Sequence, residues 1–181
     1  LMSVTGEGPG RPPCKVGPPV SDITAGILLA MGVSAALARR RETGEGQIVE
    51  TSLFEAAITH TYWQSAIAFA TGVDPEPMGS AHPLNAPYQA IQTADGYINL
   101  GAANQRNWER LVSLIDRPDL AEDERFAGNT GRMANRHDLE AELNEVFQKK
   151  TSTEWLELLE DGGFPAGPVL SISEMHADPQ T

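Results

Sequence analysis

From Ile23 to Arg41 the side chains are apolar or small nearly all the way round a helix, with Ile27, Leu28, Met31, Val33, Ala36 and Leu37 among them. A helix without a polar face has to be covered on every side, so this stretch predicts a buried helix in a layered core. Gly26, Ala30 and Ser34 recur at i, i+4 and i+8, a small-residue face that lets another backbone come close. Arg39, Arg40 and Arg41 in the last turn, with Gly44 beyond them, make a C-terminal stop. The same arginines end the apolar run short of the roughly 18 residues a membrane helix needs.

The next two segments set the fold class. Gln47 to Ser52 alternates and is rich in β-formers, which predicts a strand; Leu53 to Thr71 predicts a second helix, stopped by Gly72. Helix, turn, strand and helix in that order are a piece of an α/β domain. Val73 to Met78 has the composition of a linker. Beyond it, Tyr88–Thr93 and Tyr97–Leu100 flank Ala94-Asp95-Gly96, a hairpin signal. Helices are expected over Asn104–Ile115, Asn135–Lys150 and Thr153–Glu160, the last behind a Thr151/Glu154 capping box, and Phe164–Leu170 reads as a turn into a short strand. The expected organisation is a partial large domain over 1–72, a linker over 73–78, a small domain over 79–170 and a connecting segment over 171–181.

The chain has 181 residues and a net charge of −12, which argues against nucleic acid or an anionic membrane surface as a general partner. One cysteine, Cys14, cannot form an internal disulfide, so a cytoplasmic location is the expectation. Leu1 to Gly6 reads like the middle of a protein and Thr181 ends in what looks like a loop, so the chain is expected to be an internal piece of something longer. The four histidines, His60, His82, His137 and His176, are scattered without ligand spacing, and no metal is expected. His60 reads as a mid-helix residue satisfied in a buried or boundary position; Arg125 and the Arg132 to Arg136 stretch read as a solvated helix face.

Two segments carry possible chemistry. Asp22 stands where Gly17-Pro18-Pro19-Val20-Ser21 turns into the long helix. A carboxylate there is either an N-cap, accepting a backbone N–H at the positive end of the dipole, or a charged, fixed nucleophile. Gly79-Ser80-Ala81-His82 puts small residues ahead of Pro83, a plain connection or a mobile loop whose N–H groups can approach a ligand.

Taken in order, the motifs resemble the family III CoA-transferases, the group that includes the α-methylacyl-CoA racemases. They are Gly17-Pro18-Pro19 with Asp22-Ile23-Thr24-Ala25-Gly26; Arg41-Glu42-Thr43-Gly44-Glu45-Gly46-Gln47 with Val49; Gly79, His82-Pro83 and Ala86-Pro87-Tyr88-Gln89; Thr93-Ala94-Asp95-Gly96-Tyr97-Ile98; Arg132 with Asn135-Arg136; Glu154-Trp155; and Gly163-Phe164-Pro165-Ala166-Gly167-Pro168-Val169. The resemblance covers nearly the whole chain.

It implies an α/β fold made of part of a Rossmann-like large domain and an α+β small domain, in a protein about twice this length that forms intertwined homodimers. By resemblance Asp22 is the nucleophile that takes the acyl group of an acyl-CoA, and coenzyme A enters as a substrate thioester. Gly79, Ser80, Ala81 and His82 fall at the family's substrate-shielding loop, with one glycine where some relatives have several. The loop and Gly101-Ala102-Ala103-Asn104 look closest to succinate–hydroxymethylglutarate-type enzymes, implying succinyl-CoA as donor and a dicarboxylic acid as acceptor. The alternatives are racemisation of a 2-methylacyl-CoA, and a non-catalytic dimerising module. The isolated chain is expected to be inactive.

Overall fold

The computed structural model describes every residue from Leu1 to Thr181. The chain separates into two compact units, Leu1–Gly79 and Ser80–Thr181.

The first unit is helical. After a 3-10 turn at Met2–Val4 and a loop rich in glycine and proline comes α1, Val20–Thr43, then α2, Leu53–Thr59, and α3, Tyr62–Thr71. Gly44 ends α1 as expected: its φ of 74° is the left-handed conformation glycine adopts at least cost, and its N–H donates to the Arg40 carbonyl at 2.8 Å. Three expectations fail here. Residues 47–52 form no strand, because a strand needs a neighbour for its N–H and C=O groups and this chain supplies none to that segment. The second helix is broken at His60-Thr61. There the amides of His60 and Thr61 turn to carbonyls three residues back, Ala57 and Ile58, and the hydroxyls of Thr59 and Thr61 do the same.

The third failure concerns burial. Within this chain only Ala25 of α1 is buried, while Ile27, Met31 and Leu37 are 56%, 63% and 51% exposed. An apolar helix packs only as well as its neighbours allow, and α2 reaches just one side of it. The membrane expectation also changes. By length and composition alone, α1 is apolar enough to cross a bilayer, with an 18-residue window of mean hydropathy 1.7. Ser21, Asp22, Thr24 and Ser34 interrupt that surface at one end and in the middle.

The close-approach site on α1 is Gly32 rather than Gly26: a Cβ on Gly32 would lie 2.6 Å from Val49 Cγ1, whereas one on Gly26 would meet nothing. Gly32→Ala is therefore expected to push residues 47–52 off the helix. The cost is about 1–3 kcal/mol, typical of overpacking, and would be read as a lower urea midpoint, with Gly26→Ala neutral or slightly stabilising.

The second unit has a conventional core. Strands β1, Tyr88–Gln92, and β2, Tyr97–Gly101, pair antiparallel with Ile91 opposite Ile98; β3, Ala166–Pro168, joins the other edge of β2, giving the order β1-β2-β3. The expected turn closes as an Asx-type network: Thr93 Oγ1 accepts from the Gly96 N–H at 3.1 Å and donates to Asp95 Oδ1 at 3.1 Å. Asp95 in turn accepts the Ser152 N–H at 2.7 Å, the main reason its carboxyl titrates below the usual range.

Around the sheet lie α4 (Gln105–Leu114), α5 (Asp119–Glu122), α6 (Asn129–Ala134), α7 (Arg136–Phe147), α8 (Ser152–Asp161) and α9 (Ile172–Ala177). Ile91, Ile98 and Leu100 meet Trp108, Leu111, Leu139, Leu143, Phe147 and Trp155 in one continuous cluster. Each such side chain contributes on the order of 1.5–3 kcal/mol on burial. The capping box at Thr151/Glu154 forms as predicted. A second, Ser171/Glu174, starts α9 in the segment expected only to connect.

Arg132 overturns the solvated-face expectation. It is fully buried, with Nε donating to the Ala86 carbonyl at 2.7 Å, Nη1 to the Phe126 carbonyl at 2.9 Å and to Gln105 Oε1 at 3.1 Å, and its guanidinium over the Trp108 ring. Desolvation pulls its pKa below the ordinary arginine value. Arg125 does lie outside, paired with Asp123 and Asp138.

Candidate active site

Asp22 is not an N-cap. The cap position is Pro19, which has no side chain to offer, so Asp22 occupies the third helical position of α1. There its carboxylate sits at the positive end of the helix, exposed, and makes neither a hydrogen bond nor an ion pair. It opens on a recess of ≈ 290 Å³ whose other walls include Lys15, Pro18, Pro19, Ser21 and Ala57, all from the first unit. Lys15 adds a cation that sequence reasoning misses, since a lone lysine in a glycine- and proline-rich loop carries no spacing signal. Proline before the helix does two things: it fixes the approach of the chain, and it leaves the first-turn amides without a side-chain partner.

The opposite wall is α2. Ala56 is fully buried and Ala57 lines the recess, so α2 lies against the first turn of α1. One turn on, at the helix break, His60 Nε2 meets Thr24 Oγ1 at 2.8 Å. His60 is thus neither mid-helix nor buried; it is the exposed C-cap of α2, joined to α1 two residues past Asp22.

Of the loop residues, Gly79 ends the first unit with φ 63° and donates its N–H to the Gly6 carbonyl at 2.8 Å. Ser80, Ala81 and His82 begin the second unit. Ser80 Oγ accepts the Ala90 N–H at 3.0 Å, His82 donates its N–H to the Tyr88 carbonyl at 2.9 Å, and the His82 and Tyr88 rings stack at 5.1 Å. The loop is therefore tied to β1, and the amides of Gly79 and His82 already have carbonyl partners.

His82 Nδ1 accepts the Leu84 N–H at 3.1 Å, a bond only an unprotonated nitrogen can make, and burial lowers its pKa. The unfolded chain then binds a proton that the folded one resists. Stability should fall as pH drops below about 6.5 and level off once the folded imidazole titrates. Urea midpoints at several pH values should show that slope, and His82→Gln should flatten it.

No group of three or more His, Cys, Asp or Glu side chains is placed to hold a metal.

Comparison with known proteins identifies the family to which this chain belongs. The chain belongs to CoA-transferase family III, whose model matches residues 1–181. It is 37% identical over 182 residues to the succinyl-CoA:mesaconate CoA-transferase of Haloarcula marismortui, covering 99% of this chain and 44% of that protein. It is 35% identical to the succinate–glutarate CoA-transferase of Agrobacterium fabrum, covering 99% of this chain and 45% of the relative. A CAIB/BAIF family protein from Brucella suis superposes with a TM-score of 0.82 at 37% identity, covering 99% of this chain and 47% of that one. The chain thus spans less than half the length of these relatives.

Proposed function

We propose that the protein to which these residues belong moves CoA from an acyl-CoA thioester to a carboxylic acid, with Asp22 as the acyl acceptor. The observation that carries the reading is the placement of Asp22: exposed, unpaired, in the first turn of a 24-residue helix and facing a recess.

In this reaction an Asp22 oxygen attacks the thioester carbonyl, the C–S bond breaks and CoA leaves as thiolate, giving a mixed anhydride. The thiolate attacks the Asp22 acyl carbon, the C–O bond to the donor breaks, and the donor carboxylate is released from an aspartyl–CoA thioester. The acceptor carboxylate displaces the thiolate again. CoA then attacks the acceptor acyl carbon and restores Asp22. No net proton moves, so the site needs a held anion and donors for each oxyanion. The Val20 and Ile23 amides of the first turn of α1 already bond the Pro18 and Pro19 carbonyls, while those of Ser21 and Asp22 have no such partner and are of that kind.

The relatives' names, with succinate beside mesaconate or glutarate, support succinyl-CoA as donor and a dicarboxylic acid as acceptor. The largely exposed apolar surface of α1 supports the assignment of the first unit to a larger Rossmann-like domain. That domain would be completed by further chain in a homodimer, with Ser80–Thr181 as the small domain and residues 79–82 shielding the intermediates. Hydroxylamine added during turnover of the full-length protein should trap an acyl derivative on Asp22, visible as a peptide mass change absent from Asp22→Asn. Exchange of the α-hydrogen of a 2-methylacyl-CoA with solvent deuterium, without CoA transfer or trapping, would refute the reading.

A further inference from the structure

The geometry points to His60 as a positioning residue for Asp22, acting through Thr24. This inference rests on the reading of Asp22 as acyl acceptor.

Asp22 has no hydrogen bond of its own, so its direction depends on how the first turn of α1 is held. Within the first unit, α2 lies against that turn, with Ala56 fully buried. Ala57 shares the recess with Asp22, and His60, three residues later on the same face, bonds Thr24 at 2.8 Å. Residues 22 and 24 point to different sides of a helix. A bond at Thr24 therefore leaves the carboxylate free to react while fixing the rotation of the turn that carries it.

The break in the second helix is a separate observation that fits. The sequence periodicity would carry one helix through to Thr71. Instead the amides of His60 and Thr61 bond back to Ala57 and Ile58, ending α2 with His60 as its cap against α1. His60 is exposed, so the Thr24 contact is not a by-product of core packing. A reacting oxygen displaced by about 1 Å can lose on the order of 100-fold in rate, so even a small rotation of this turn would register.

The test uses the full-length protein with an acyl-CoA donor and a dicarboxylate acceptor. Thr24→Val and His60→Ala should each lower kcat about tenfold with KM for the acyl-CoA within twofold of wild type. The double variant should be no slower than either single one, because both remove the same bond. His60→Gln, whose amide reaches a similar distance, should recover at least half the lost rate. That recovery and the unchanged KM separate positioning from general loosening of the fold. Wild-type kcat in Thr24→Val, or losses that multiply in the double variant, would overturn the proposal. If Asp22→Asn abolishes turnover while Thr24→Val and His60→Ala keep it, only the role of His60 fails; if Asp22→Asn keeps turnover, the reading beneath it fails first.

Discussion

Asp22→Asn in the full-length protein is expected to lower kcat for CoA transfer by roughly 10⁴-fold or more while leaving the fold nearly untouched, as loss of a covalent nucleophile does. Asparagine has the same shape, and no hydrogen bond or ion pair is lost with the charge. What goes is the attraction between a carboxylate and the positive end of α1, about 0.3–1 kcal/mol at an exposed site. The two effects differ by a large factor, and that makes the experiment decisive. An aspartate serving only to start its helix would show the reverse pattern: a measurable drop in the urea midpoint and turnover within severalfold of wild type. Substrate binding should survive, because the amide occupies the same space, so titration with acyl-CoA should give a near-normal affinity for a dead enzyme. Asp22→Ala would be a poorer probe, since it also alters the shape of the recess.

How much of this is legible in the sequence depends on whether the information is local. Gly44, the Thr93–Gly96 turn and the Thr151/Glu154 box are readable because each is a short pattern whose hydrogen bonds close within a few residues. The strand expected over 47–52 fails for the opposite reason: β-formers announce a preference, but pairing is supplied from elsewhere. The burial of α1 fails likewise, since composition says what a helix wants covered and not whether the cover lies within these residues. Asp22 stands out as a residue, but its cap reading fails because Pro19 takes the cap position without offering a side chain. Thr24 and His60 lie 36 positions apart, and no periodicity links them. Their pairing depends on where the second helix breaks, which is decided by backbone bonds to carbonyls three residues back. Arg132 misleads because arginines near a helix are usually solvated; its partners Ala86, Gln105 and Phe126 come from three other places in the chain.

Arg132 carries a large expected stability effect in the second unit. Its guanidinium joins α6 to the segment entering β1 through the Ala86 carbonyl, to α4 through Gln105 and to the turn at Phe126, while its plane covers Trp108. Arg132→Ala removes a fully buried side chain and strips donors from two carbonyls, and cavity and desolvation together should cost about 3–5 kcal/mol. Urea unfolding of the 181-residue chain followed by tryptophan fluorescence would measure it, because Trp108 and Trp155 both lie in that core. Two further variants separate packing from hydrogen bonding. Arg132→Met refills the volume but leaves the Ala86 and Phe126 carbonyls without a donor, so it should recover only part of the loss. Arg132→Lys keeps the charge, yet its single ammonium cannot span three acceptors held in a planar fork, and it should also fall short of wild type. Buried charges elsewhere have been replaced by apolar residues with no loss or a gain, because desolvation opposes the bonds they make. Here Nη2 is buried without a partner, so that opposing cost applies to this guanidinium too. If Arg132→Met proved as stable as wild type, the three bonds would contribute nothing net, and the guanidinium would be filling space rather than joining the elements around it.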